Sequence, residues 1–198
     1  MADNLFTTVI ASDDIVVQVG AEDEDDTLTL SKLARQVYVF EPNPFNRDRL
    51  KHAMRKKRNV QLFNLGAGTR EEAVKLRLPQ LADQPFGSRR AQVQFTRLDK
   101  VELGLLPTCL VLNCGGQELK ALRGAEGLFL KRTIRTVLMK THQLTGEEGT
   151  GAEATLWLLD RGFRTEAKKA PDGSLWILAR NFRASAPKTV GVRLRLFL

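Results

Sequence analysis

Short apolar runs alternate with helical patterns along most of the chain. Ile15–Val19 is a β-branched run that stops at Gly20. Residues 27–36 carry apolar side chains at Leu28, Leu30, Leu33 and Ala34, a spacing that predicts a helix. Residues 37–40 predict a second strand, ending at Glu41-Pro42. Residues 44–57 predict a helix with proline in its first turn and a basic C-terminal end, the polarity that the helix dipole favours. Residues 60–65 predict a third strand, closed by Gly66-Ala67-Gly68. Two short strands, 74–78 and 93–98, flank a loop containing Pro79, Pro85 and Gly87. The alternation then resumes with a strand at 109–114, a helix at 116–130, a strand at 136–139 and a helix at 152–161 that Gly162 ends. A closing hairpin, 163–168 with 175–179, turns at Pro171-Asp172-Gly173.

Strands that alternate with helices predict a mostly parallel sheet covered on both faces, and the closing hairpin adds one antiparallel edge strand. With 198 residues the chain has the length of one domain plus a tail. The boundary is expected at 181/182: residues 1–181 form the domain and 182–198 a basic extension.

Composition narrows the function classes. No apolar run reaches the roughly 20 residues of a membrane-spanning helix. Two cysteines and two histidines exclude a disulfide framework and a histidine-rich metal centre. Residues 1–8 lack the basic start and apolar core of a secretory signal, so a non-secreted protein is expected, cytoplasmic or organellar.

The net charge of +8 is unevenly spread. Residues 1–30 carry eight acids and no Lys or Arg. Residues 47–58 carry seven basic residues against Asp48, and residues 161–198 carry nine against Glu166 and Asp172. Arg55, Lys56, Lys57 and Arg58, with Lys188, Arg193 and Arg195 in the tail, are therefore candidate contacts for RNA or for a protein or ribonucleoprotein complex. A solvated basic surface is the alternative reading. The run 22–26 lacks the spacing of a calcium loop and reads as a solvated acidic helix start. Cys109 and Cys114 read as core.

Four segments, in order, carry a resemblance. They are Val17-Gln18-Val19-Gly20-Ala21-Glu22, then Val39-Phe40-Glu41-Pro42-Asn43-Pro44, then Arg97-Leu98-Asp99. The fourth is 111–119 followed by Leu122-Arg123-Gly124-Ala125-Glu126. Together they resemble the FkbM-type S-adenosylmethionine-dependent methyltransferases over about residues 15–179. The resemblance implies a seven-stranded Rossmann-like class I methyltransferase fold, with the cofactor across the carboxyl ends of the first strands. Gly20 and Ala21 would line the methionine end. Glu41 would accept hydrogen bonds from the ribose hydroxyls, and Asn113 would lie at a strand end beside the ligand. His142 is a weak candidate for the general base. Glu41 also suits a plain helix-capping role.

The departures from the family gather at the expected chemistry. Gln18 stands where the family has Asp, Glu22 where it has Asn, and Glu24 where it has a further glycine. Val111 and Asn113 replace Lys and Asp, and Lys140 replaces an acid. A glutamate at 24 would fill space that the cofactor needs. Losing two or three charge-assisted hydrogen bonds, about 4 kcal/mol in all, would weaken a micromolar affinity to about millimolar.

The first expectation is therefore an inactive methyltransferase-like scaffold or accessory subunit of a larger assembly, such as an organellar ribosome, without a cofactor. The alternative is an active S-adenosylmethionine-dependent O-methyltransferase acting on a sugar or natural-product hydroxyl. A free-standing RNA-binding protein on the same fold is a third reading.

Overall fold

A computed structural model describes residues 3–21, 24–77, 90–141, 150–170 and 173–182. The central sheet has seven strands in the order β3-β2-β1-β7-β8-β10-β9. Its parallel part comprises β1 (Ile15–Val19), β2 (Gln36–Phe40), β3 (Val60–Phe63), β7 (Cys109–Leu112) and β8 (Thr136–Lys140). The closing hairpin is β9 (Arg164–Lys169) and β10 (Leu175–Arg180). β10 runs antiparallel to both neighbours, so the antiparallel strand lies one place in from the edge and β9 forms the edge itself. This is the seven-stranded, mostly parallel class I methyltransferase architecture.

The middle of the chain builds a second sheet. β4 (Gly66–Ala67), β5 (Glu72–Arg77) and β6 (Arg90–Thr96) join in the order β4-β6-β5. β5 pairs antiparallel with β6, and β4 pairs parallel with it.

Each face of the central sheet has its own apolar cluster, set by alternation along the strands. Ile15, Val17 and Val19 of β1 pack with α4 (Glu118–Gly124), α5 (Glu126–Leu130) and α6 (Thr150–Asp160), through Leu122, Ala125, Leu128 and Leu158. Val16 faces the other way, towards α1 (Asp3–Val9), α2 (Glu24–Leu33) and α3 (Pro44–Ala53), through Phe6, Leu30 and Leu50. Phe6 meets Trp176 edge-on at 5.7 Å. Each such fully buried side chain contributes about 1.5–3 kcal/mol of transfer free energy.

Further expectations change: the helix expected at 27–36 spans Glu24–Leu33, and Gln36 already belongs to β2. α1 is absent from the sequence reading because seven residues give too short a period; its contribution comes from burying Leu5, Phe6 and Ile10. α3 ends at Ala53, four residues early, where Met54 closes the helix by donating its N–H to the Leu50 carbonyl. The helix expected at 116–130 is two helices, interrupted at Ala125. Among the described residues no helix is long and apolar enough to cross a membrane, and no group of three His, Cys, Asp or Glu could hold a metal ion.

Candidate active site

The carboxyl ends of β1, β2 and β7 converge on one cleft of about 950 Å³. That volume lies at the upper end of small-molecule sites, about 300–1,000 Å³. The switch point of an open parallel sheet lies between strands whose crossovers leave in opposite directions. Here β1 pairs with β2 on one side and with β7 on the other.

The floor is set by backbone. Gly20 follows β1 with φ +77°, and an added Cβ would lie 2.0 Å from the Asn113 carbonyl oxygen. Only glycine combines that dihedral with that approach. The Asn113 N–H donates to the Val19 carbonyl at 2.9 Å, and Gly20 N–H donates to the Phe40 carbonyl at 2.9 Å. The three strand ends are thus fastened to one another around Gly20.

Glu41 ends β2 and is buried, at 5% exposure. Its two oxygens accept from the Ala21 N–H and the Asn43 N–H, both at 2.8 Å. Asn43 caps α3 by accepting from the Phe45 N–H. Glu41 therefore joins the loop after β1 to the start of α3. Glu41 also lines the cleft.

β7 is followed by Gly115 and Gly116, both with positive φ. Glu118 folds back to accept from the Cys114 and Gly116 N–H groups, at 3.2 Å each. Burial and the neighbouring Glu118 carboxylate hold the Cys114 thiol well above its ordinary pKa. It lines the cleft as a neutral thiol rather than a nucleophile.

The second sheet closes the cleft on another side. Alternation along β5 puts Glu72, Val74 and Leu76 towards it, with Phe95 of β6 and Gly66, Ala67 and Gly68 in and after β4. Arg49 of α3 and Lys120 of α4 add positive charge.

Of the residues expected at the site, Gly20, Glu41 and Asn113 all line the cleft, and Ala21 binds Glu41 through its N–H. Gln18 faces α2, where its amide oxygen accepts from the Thr27 hydroxyl at 2.9 Å. Glu24 does not fill the cleft: it opens α2 and pairs with Arg49. Lys140 ends β8 and is not among the lining residues. Arg55, Lys56, Lys57 and Arg58 follow the far end of α3 and lie outside it. His142, Lys188, Arg193 and Arg195 lie outside the described residues, as do Glu22 and Asp23. The apolar wall of Val74, Leu76 and Phe95 went unassigned; its signal was the alternation of Val74 and Leu76 with Lys75.

Other motif residues are structural. Asp99 accepts from Arg97 at 2.9 and 2.5 Å and from the Gly127 N–H at 2.9 Å. Burial opposes its ionisation, but the Arg97 and Gly127 hydrogen bonds outweigh it and hold its pKa below the usual carboxylate range.

No family model matches the sequence, and no curated protein matches it. Solved structures do share the fold. The methyltransferase FkbM from Methylobacillus flagellatus superposes with a TM-score of 0.65 at 15% identity, over 86% of this chain and 44% of that one. This chain therefore spans less than half the length of that protein. A precorrin-6y C5,15-methyltransferase from Geobacter metallireducens gives 0.56 at 14% identity, over 90% and 86%. A putative methyltransferase from Streptococcus mutans, solved in complex with SAH, gives 0.54 at 12%, over 90% and 95%. At these identities the likeness is one of fold.

Proposed function

We propose that the chain is an S-adenosylmethionine-dependent methyltransferase of FkbM-like type that acts on an acceptor hydroxyl of a sugar or natural product. The observation that carries this reading is the pairing of Gly20 with Glu41 at an open cleft. The glycine leaves room for close backbone approach, and the carboxylate stands on the cleft wall at the end of β2, where a ribose would be held. Glu24, the residue expected to block that space, pairs with Arg49 and is not among the residues that line the cleft.

When bound, S-adenosylmethionine supplies a methyl group on a sulfonium centre that is already electrophilic. The chain's own task is then mainly positioning. Glu41 would hold the ribose and Gly20 the methionine end, while Val74, Leu76 and Phe95 exclude water from one side. Asn113 and Lys120 are polar groups within the same cleft.

Calorimetric titration of the purified chain with S-adenosylmethionine, and separately with S-adenosylhomocysteine, tests this. Saturable micromolar binding supports the reading. No binding up to about a millimolar, with the chain folded by circular dichroism, would reject it and favour an inactive scaffold. Gln18, engaged with Thr27 rather than with the cleft, is the observation on that side.

A further inference from the structure

At the end of the sheet away from the cleft, α2 and the segment after α3 bring six cations together. Lys32 and Arg35 stand at the C-terminal end of α2, and Arg55, Lys56, Lys57 and Arg58 lie between α3 and β3. All are exposed except Lys57, which is half-buried. Their placement is fixed. The Asn59 side-chain amide donates to the Ser31 and Ala34 carbonyls at 2.9 and 3.1 Å, tying the segment to α2. Lys57 N–H donates to the Met54 carbonyl at 2.8 Å, and Asn59 anchors β2 by accepting from Val37 N–H.

Among the described residues none of the six is paired with a carboxylate. The acids of α2, Glu24, Asp25 and Asp26, occupy its first turn. A ten-residue helix separates the two charges by about 15 Å. The helix dipole favours cations at both C-termini, but it is screened beyond the last turn and does not neutralise six cations gathered at one edge. One-sign clustering costs self-repulsion, which a polyanion relieves.

We propose that this edge docks a nucleic-acid duplex through its phosphates, separately from the cleft. A lipid surface fits less well, because none of the exposed large apolar side chains belongs to α2 or to the segment after α3. No aromatic side chain stands among the six to stack on bases, so the contacts would position a backbone without reading sequence.

The test is fluorescence anisotropy of the full chain with a short labelled RNA duplex, in salt between about 50 and 200 mM. The triple variant Arg55→Ala, Lys56→Ala, Arg58→Ala is expected to lower the log–log salt slope by about 2.7, the share of three phosphates. The double variant Lys32→Ala, Arg35→Ala, on a different element, is expected to lower it by about 1.8. Two duplexes of unrelated sequence should bind alike. Circular dichroism confirms that the variants fold. The proposal is overturned if the native chain does not bind the duplex, or if both variants keep its slope and affinity. Binding confined to vesicles containing phosphatidylserine would overturn it too.

Discussion

The Glu24 carboxylate pairs with the Arg49 guanidinium and so joins the first turn of α2 to α3 beside the cleft. Arg49 lines the cleft and Glu24 does not. The acid is therefore accommodated by a basic partner from the next helix rather than by the cleft. Arg49 is more than half exposed, so the pair contributes at most about 1 kcal/mol to stability. Glu24→Ala is expected to shift S-adenosylmethionine affinity by less than about threefold. A gain of tenfold or more, about 1.4 kcal/mol, would show that Glu24 obstructs the site after all. Calorimetric titration of the two proteins decides it.

Glu41→Ala is expected to act on fold and site together. It leaves the Ala21 and Asn43 N–H groups without their acceptor, and Ala21 is fully buried. An unsatisfied buried donor costs about 1–3 kcal/mol, readable as a fall in the urea midpoint with unchanged slope. Cofactor binding should fall below detection. If Glu41 were only a helix-cap brace, Glu41→Ala would lower stability while leaving affinity intact.

Gly124 tests how the helical layer supports the cleft. An added Cβ there would lie 2.0 Å from the Gly68 carbonyl oxygen, a backbone atom that no rotamer change can move. Gly68 lines the cleft. Gly124→Ala should therefore cost about 1–3 kcal/mol through forced displacement and weaken cofactor binding by shifting the segment 66–68. Gly115→Ala is the contrast: its Cβ meets nothing within 4 Å, but its φ is +62°. It should cost about 1–2 kcal/mol from conformation alone.

The fold was legible because its signals are local. β-branched runs, Pro44 at a helix start and Gly162 at a helix end each act within a few residues. Gly20, Glu41 and Asn113 could be placed at strand ends from the same pattern, and all three line the cleft. What could not be read were contacts across long separations. Arg49 is 25 residues from Glu24, and nothing near position 24 announces that the acid has a partner. The Gly124–Gly68 approach and the wall formed by β5 and β6 likewise depend on which strands pair. The role of Gln18, accepting from Thr27 on α2, depends on which face of β1 it occupies.

Asp99 gives a pH test. Its carboxylate accepts from Arg97 and from the Gly127 N–H at the first turn of α5. Burial opposes ionisation but is outweighed, and its folded-state pKa lies below the ordinary 3.8. A lowered folded pKa means that the ionised group stabilises the native state above the unfolded pKa. That contribution is lost as pH falls through the folded value. Asp99→Asn keeps the shape and one acceptor but removes the charge. Its stability deficit should be about 1–3 kcal/mol near pH 7. It should stay constant down to about pH 5 and narrow below about pH 4, as the native carboxyl itself becomes protonated. Urea unfolding of both proteins across that range measures the difference directly. A deficit that does not change with pH would mean that Asp99 supports α5 by packing alone.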